Sequence, residues 1–524
     1  MDLAGLIEAL SIPAAYPQTV GKVEVRQTHI SVVFLAGEHV YKIKKPVKPN
    51  FVDFSSLEKR LHYCHEEVRL NRRLAPDVYL DVVPVVRTAR GLRLEAKGEI
   101  IEWAVKMRRL PEEATLLERL RRDEVSVEMI EALARRIASF HRTAVTNERI
   151  ASFGRFDAVA RVVRDVFSNS IPHVGKTVSQ GVFDRIHALM EETLTRLRPL
   201  IERRASRGMP RDTHGDLHLD HIYYFPDKEP PADLVIIDCV EFNERFRCTD
   251  PVSDMAFTVM DLAFQGRRDL TRTFADAYFR AADDEEGRKL LPLYTAYRAT
   301  VRGEVEGMLV VQMEVPESER ATAEKKARAR WLLALSELEE PEKKPCLLFM
   351  AGLPGTGKSM LAQALAEREN FSLIRSDVVR KELAAAARSA GENIYTPEWN
   401  ARTYAACLDL ARGFLLEGKR VLVDATFREE TQRRIFLEAA VRWGVPGAML
   451  LCRAEPDTVR RRLEQRKDDA SDADWSIYLR LAASWEEAGP LTPRDCHIIS
   501  TDGSPEEGFS RALEVLRQMG LVQE

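Results

Sequence analysis

The sequence predicts two domains, a bilobal α+β domain followed by an α/β domain built on a parallel sheet. Three observations carry this. The first hundred residues are strand-rich, and the pattern from about 113 to 335 is mostly helical. From Cys346 onward, apolar strands (CLLFMAG, RVLVDAT, AMLLCRA, CHIIST) alternate with helical stretches, as a parallel sheet requires. Between these regimes lies EEPEKKP, Glu339 to Pro345, short, polar and proline-bearing as linkers are. The expected domains are therefore 1–341 and 342–524.

The elements follow in order. MDLAGLIEALSIPAAYP lacks a basic start followed by a long apolar core, so it reads as a short amphipathic helix and not a signal peptide. VEVRQTHISVVFLAGEHVYKIKK alternates and turns at Ala36-Gly37-Glu38, the pattern of a hairpin. LEKRLHYCHEEVRLNRRLA has helical periodicity, and YLDVVPVVRTARGLRLEA and IIEWAVKMRRL read as further strands. The helical lobe is interrupted near 212–240 by THGDLHLDHIYYF and LVIIDCVEF. Residues 317–338 read as one long, charged helix leading to the linker.

Composition narrows the function classes. The chain has 524 residues, 45% hydrophobic and 31% charged, ordinary values for a soluble globular protein. A net charge of −4 does not point to nucleic acid as a partner. No run of about 18 uncharged apolar residues occurs, so no membrane span is expected. Seven dispersed cysteines without a CxxC pair indicate reduced thiols and a cytoplasmic protein, without a disulfide framework or structural zinc.

The C-terminal region holds Gly352-Leu-Pro354-Gly355-Thr356-Gly357-Lys358-Ser359, a G-x-x-x-x-G-K-[ST] pattern between a strand and a helix. Its glycines let backbone amides face phosphate oxygens, and the following helix adds its positive end. Lys358 is expected on the outer phosphates of ATP and Ser359 on Mg²⁺. Asp377, at the end of the next strand, is placed to take a proton from an acceptor hydroxyl; helix capping is the other role open to it. Arg380 would then hold an anionic acceptor or the transferred phosphate. Asp424 ends the strand RVLVDAT, where a carboxylate acts on Mg²⁺ through water. Arg433 and Arg434 can reach an acceptor or remain surface charge. Arg462 and Arg466 lie four apart in an arginine-dense helix, where they would close on the developing phosphoryl charge or face solvent. Together these residues resemble the small P-loop kinases of the polynucleotide-kinase, gluconate-kinase, chloramphenicol-phosphotransferase and zeta-toxin type, over about 345–520. The resemblance implies a P-loop NTPase fold, Lys358 as the phosphate lysine, Asp377 as the acceptor-activating carboxylate, and Arg462 and Arg466 as lid arginines.

The N-terminal region holds Thr213-His214-Gly215-Asp216-Leu217-His218-Leu219-Asp220-His221, followed by LVIIDCVEF with Asp238 at a strand end. A loop aspartate that orients a hydroxyl and a strand aspartate that binds Mg²⁺ suit phosphoryl transfer. These residues, with Asp250-Pro-Val-Ser-Asp254-Met-Ala, resemble the aminoglycoside-phosphotransferase and choline-kinase group over about 25–300. The resemblance implies a protein-kinase-like fold with Asp216 as base, Asp238 as metal ligand and Asp254 as brace of the catalytic loop. Its phosphate lysine falls on Lys42, with Lys44 as alternative on the same strand face, and its helix glutamate on Glu67 in preference to Glu66. The adenine hinge falls within Met107 to Leu110. Two positions depart from the family. His221 stands where it has a metal-binding asparagine, and Gln27 to Ser31, the nucleotide loop, has no glycine. Zinc on His214, His218 and His221 is the minor reading.

The combined expectation is a two-headed phosphotransferase using ATP and Mg²⁺ on hydroxyls of small molecules such as sugars or amino sugars. Glu241, Asn243, Glu244 and Arg245 are expected near the N-terminal acceptor, or as structural ion-pair partners. The alternatives are a P-loop kinase regulated by a pseudokinase or binding module, and a polynucleotide or nucleotide-sugar kinase.

Overall fold

The computed structural model describes residues 2–49, 52–313, 315–387, 393–465, 474–487, 489 and 492–523. The chain divides into two compact units. The first comprises 1–162, 197–261 and 269–291; the second comprises 163–196, 262–268 and 292–524. This division differs from a cut at the linker, because several helices that precede the linker belong to the second unit.

The first unit opens with the helix Leu3–Leu10 and a six-stranded antiparallel sheet. Its strands are β1 (Val23–Gln27), β2 (Ser31–Ala36), β3 (His39–Lys44), β4 (Tyr79–Thr88), β5 (Gly91–Leu94) and β6 (Glu99–Arg108). Their order is β1-β2-β3-β6-β4-β5. Alternation along β3 divides its side chains between two faces. Tyr41 and Ile43 join Leu6, Leu10, Val32 and Phe34 in one core. Lys42 and Lys44 face the other way, toward the helix Leu57–Asn71, capped by Ser56. That helix buries Cys64 and Val68 against Tyr79, Val105 and Met107. The interruption near 212–240 is a short antiparallel hairpin, Ile222–Tyr224 with Leu234–Ile236.

The second unit contains a five-stranded parallel sheet. Its order is Ser372–Arg375, Val421–Asp424, Leu347–Ala351, Gly447–Arg453, Cys496–Ser500. Both faces are covered, so every residue of the central strand Leu347–Ala351 is buried and the strand reads as continuous apolar sequence. The helix Glu317–Leu338 matches the expected span, but it is not simply a charged spacer. Its last two turns bury Trp331, Leu332 and Leu335, and Leu332 completes the core on one face of this sheet.

Candidate active sites

In the first unit, the site is assembled from β3, the helix Leu57–Asn71 and the two loops that flank the hairpin. Lys42 Nζ lies 2.9 Å from Glu67 Oε1 and 2.6 Å from Asp238 Oδ1. Lys44 Nζ reaches the other Glu67 oxygen at 2.8 Å and also pairs with Glu241. Glu66 points elsewhere and pairs with Arg69. Burial would lower the Lys42 ammonium, but Asp238, Glu67 and Glu241 outweigh it and hold the lysine well above its ordinary range. Burial likewise opposes ionisation of Glu67, and the two lysines overcome it and hold the carboxyl below its usual range.

The catalytic-loop segment is held from beneath. Asp254 accepts the backbone amides of Gly215 at 2.6 Å and His214 at 3.1 Å, and pairs with His141 Nε2 at 2.9 Å. The second nitrogen of His141 meets Tyr278 Oη at 2.8 Å. Burial opposes the Asp254 charge, but His141 and the loop amides reverse that and bring the carboxyl down to about 2. Gly215 adopts φ +87°, and a Cβ there would lie 3.1 Å from both the Phe246 carbonyl oxygen and Val240 Cγ2. Asp238 also has positive φ, +64°. It is over-determined by its neighbours: its amide donates to Tyr79 Oη at 3.1 Å, and the next amide, of Cys239, donates to Asn71 Oδ1 at 2.8 Å.

Asp216 faces two histidines. His218 Nε2 is 2.8 Å from Asp216 Oδ1, and its Nδ1 is 2.8 Å from Asp220 Oδ1. His221 Nδ1 lies 3.0 Å from the Asp216 carbonyl oxygen, which leaves Nε2 facing Asp238 Oδ2 at 3.7 Å. The position of the expected asparagine is therefore occupied by a ring nitrogen beside the strand aspartate. Asp216, His218 and His221 are close enough to share an ion, but the hydrogen bonds just described already engage them. The expected acidic acceptor surface is corrected. Glu241 is buried on Lys44, Glu244 pairs with Arg149, and Asn243 caps a helical turn by accepting the Arg245 amide. In the expected hinge, the amides of Arg108 and Arg109 already donate to the carbonyls of Val78 and Glu38.

In the second unit, the loop 352–357 runs from the central strand into the helix Lys358–Arg368. Gly352 has φ +143°, and a Cβ there would stand 2.7 Å from the Cys452 carbonyl oxygen, so only glycine fits. Thr501 Oγ1 donates to the Thr356 carbonyl at 2.6 Å, pinning the loop to the last strand's exit. Lys358, Ser359 and Asp377 are half-buried, and among the described residues none makes an ion pair or a side-chain hydrogen bond. Asp377 is the second residue of the helix Ser376–Ala386 and does not cap it; the strand before it ends at Arg375. Asp424 is 5% exposed, with Oδ1 lacking a partner among the described residues and Oδ2 3.7 Å from Arg375 Nε. A buried carboxylate oxygen without a partner fits a divalent cation or its water.

The arginines separate by role. Arg433 is buried and donates to the carbonyls of Phe427 at 2.7 Å and Arg428 at 2.8 Å, so it braces the loop after Asp424 and is neither surface charge nor acceptor ligand. Arg434 is exposed beside Glu438. Arg380 is buried, donating to the Ile394 carbonyl at 3.0 Å. Arg462 donates to the Thr501 carbonyl at 2.6 Å. It lines a cleft with Gly357, Leu361, Arg368, Thr501 and Phe509. Arg466 lies outside the described residues.

Comparison with known proteins decides the family. The family described as "Phosphotransferase enzyme family" matches residues 38–293, and that described as "AAA domain" matches 347–487. Rv2004c, an uncharacterized protein of Mycobacterium tuberculosis, is 31% identical over 504 residues, covering 94% of this chain and 95% of its own. The chain belongs to this family of fused kinases. Ribose 1,5-bisphosphate phosphokinase PhnN of Enterobacter lignolyticus is 23% identical over 33% of this chain and 93% of its own. A gluconokinase structure from Sinorhizobium meliloti aligns at 18% identity over 34% of this chain and 94% of its own, with a TM-score of 0.28.

The fused kinase is an ATP-dependent phosphotransferase, with a kinase-like N-terminal domain and a C-terminal P-loop kinase domain. Kinase domains of these families use ATP with a divalent metal and a small-molecule acceptor. Among the described residues no helix is long and apolar enough to cross a membrane. Sequence reasoning missed His141, Tyr278, Asn71 and Tyr79 in the N-terminal site, and Thr501, Arg368 and Phe509 in the C-terminal one. The available signal was a polar residue on an otherwise apolar helix face, as at His141 in IASFH.

Proposed function

We propose that the protein is a bifunctional kinase whose two heads, 1–341 and 342–524, each transfer the γ-phosphoryl group of ATP to a hydroxyl of a small polar molecule, with sugars and amino sugars as the acceptor class. The observation that carries the reading is the assembled ion pair of Lys42 with Glu67, with Asp238 beside it and the Asp216 loop pinned by Asp254. Mg²⁺, when bound, would neutralise the phosphate charge that develops during transfer. Asp238 and His221 would hold it in the N-terminal head, and Ser359 and Asp424 in the C-terminal head. Lys42 would meet the phosphates in the first head. In the second, the amides of Gly355 and Gly357 and the ammonium of Lys358 would do so, while Gly352, Pro354 and Thr356 shape the loop, the Gly352 and Thr356 amides donating to the carbonyls of Thr426 and Leu353. Asp216 and Asp377 would each orient an acceptor hydroxyl and take its proton. Arg462 would lie beside the nucleotide base, because it lines the cleft next to Gly357. The seven free cysteines support a cytoplasmic setting.

A second reading has its own observation. The turn between β1 and β2 spans only Thr28 to Ile30 and is closed by Thr28 Oγ1 accepting the amides of Ile30 and Ser31. So tight a turn cannot fold over phosphates as a glycine loop does, which favours an N-terminal head that binds and regulates. ATP consumption with a panel of sugars, amino sugars, nucleosides and 5′-hydroxyl oligonucleotides decides between them. Loss of different acceptors in Asp216→Ala and Lys358→Ala supports two active heads. Loss of all turnover in Lys358→Ala, with none lost in Asp216→Ala, supports the regulatory head. Turnover confined to the oligonucleotides would overturn the small-molecule reading.

A further inference from the structure

We propose that Lys44 is a positioning residue of the N-terminal site, fixing through Glu67 the lysine that meets the nucleotide. The inference rests on the reading of that site as an ATP site. Lys44 lies two residues beyond Lys42 on β3, so both ammonium groups reach the same face of the sheet. Its side chain is 0% exposed. Lysine is rarely buried so completely unless it is paired, and here it is paired twice, with Glu67 at 2.8 Å and with Glu241.

The consequence is a division of labour on one carboxylate. Glu67 Oε1 holds Lys42 and Oε2 holds Lys44. Glu241 stands three residues past Asp238, so Lys44 also ties the strand exit that carries Asp238 to β3 and to the helix Leu57–Asn71. Lys42 has to serve Glu67, Asp238 and incoming phosphates. With Lys44 neutralising the second oxygen, Glu67 stays ionised and in register when Lys42 turns from Asp238 toward a phosphate. Without Lys44, two buried carboxylates, Glu67 and Glu241, lose their shared cation, and Lys42 is drawn inward to compensate.

The test is calorimetric titration of ATP with Mg²⁺ into the full chain carrying Lys358→Ala, which weakens the C-terminal site. The same chain with Lys42→Met added identifies the heat that belongs to the N-terminal head. Into the Lys358→Ala chain we would introduce Lys44→Met with Glu241→Leu, which removes the pair without leaving an orphaned buried charge. The expected result is about tenfold weaker N-terminal binding of ATP, roughly the loss of one charge-assisted contact, with the thermal midpoint retained. Should that pair melt early, Lys44→Gln with Glu241→Gln keeps a hydrogen-bonded pair without charge and carries the same expectation. N-terminal affinity equal to that of the Lys358→Ala parent, in whichever pair remains folded, overturns the positioning role while leaving the ATP site standing. If Lys42→Met removes no heat, the ATP reading of this head falls and the inference falls with it.

Discussion

The Asp254 carboxylate accepts the Gly215 amide at 2.6 Å, placing a buried charge directly beneath the loop that carries Asp216. The same carboxylate takes the His214 amide and is itself steadied by His141, which leans on Tyr278. A catalytic loop held this way is positioned by a helix, not by its own stiffness. Asp254→Asn leaves one acceptor oxygen and turns an NH₂ group toward donors. Leaving a buried donor unsatisfied costs about 1–3 kcal/mol. A shift of the loop by about 1 Å lowers turnover roughly a hundredfold. Denaturant unfolding and turnover of the acceptor assigned to this head check both numbers.

Gly215→Ala probes the same loop from the other side. The position has φ +87°, and the added Cβ would press on the Phe246 carbonyl and Val240 at 3.1 Å. Strain in the left-handed region costs on the order of 1–2 kcal/mol for a residue with a side chain, and the contact adds to it. The expected outcome is a lower unfolding midpoint and loss of N-terminal turnover, with the Lys358-dependent activity intact. Equal loss of both activities would mean that the loop strain spreads beyond its own head.

The acid limb of stability has a named contributor in His214. Burial is the main cause that lowers its imidazole from the ordinary 6.5 to about 4. The ring is neutral and fixed: Nε2 meets the Ile237 carbonyl at 2.9 Å and Nδ1 accepts the Asp216 amide at 3.2 Å. Because the folded value lies below the unfolded one, the unfolded chain takes up the proton first as pH falls. This contribution is therefore whole above 6.5 and is lost between 6.5 and about 4, at up to about 1.4 kcal/mol per pH unit. His214→Gln flattens the stability profile across that window. An unchanged slope in pH-dependent unfolding would place the titration elsewhere.

Much of this arrangement was legible in the sequence, for reasons that differ by element. The parallel sheet was readable because strands covered on both faces leave continuous apolar runs, such as Leu347–Ala351. The residues Lys358, Asp216 and Asp238 stood out because they sit in short motifs whose chemistry is local. Alternation puts Lys42 and Lys44 on one face and so does not by itself favour the choice of Lys42 over its alternative Lys44; their different partners distinguish them. Glu241 looked like an acceptor ligand because it follows Asp238 closely, yet it turns inward to a lysine 197 positions away in sequence. Contacts so distant in sequence leave no periodic trace, and neither does that of Asp254 with Gly215, 39 positions apart. The helices before the linker misled for a related reason. Glu317–Leu338 is charged over its first turns, and its apolar end finds its partner on a sheet more than a dozen residues downstream.

Arg462 supplies the last prediction. As a lid arginine it would stabilise charge on the transferred phosphoryl group, and its removal would lower kcat by about a hundredfold or more. Its guanidinium instead donates to the Thr501 carbonyl and lines the cleft formed with Arg368 and Phe509, next to Gly357. A flat cation beside an aromatic-walled cleft suits the face of a purine ring. Arg462→Ala is thus expected to raise KM for ATP about tenfold, with kcat changed less than threefold, because it removes binding shared by ground and transition states. Steady-state kinetics of the C-terminal activity, with ATP varied at saturating acceptor, separates the cases. A fall in kcat at unchanged KM would return Arg462 to the phosphoryl group.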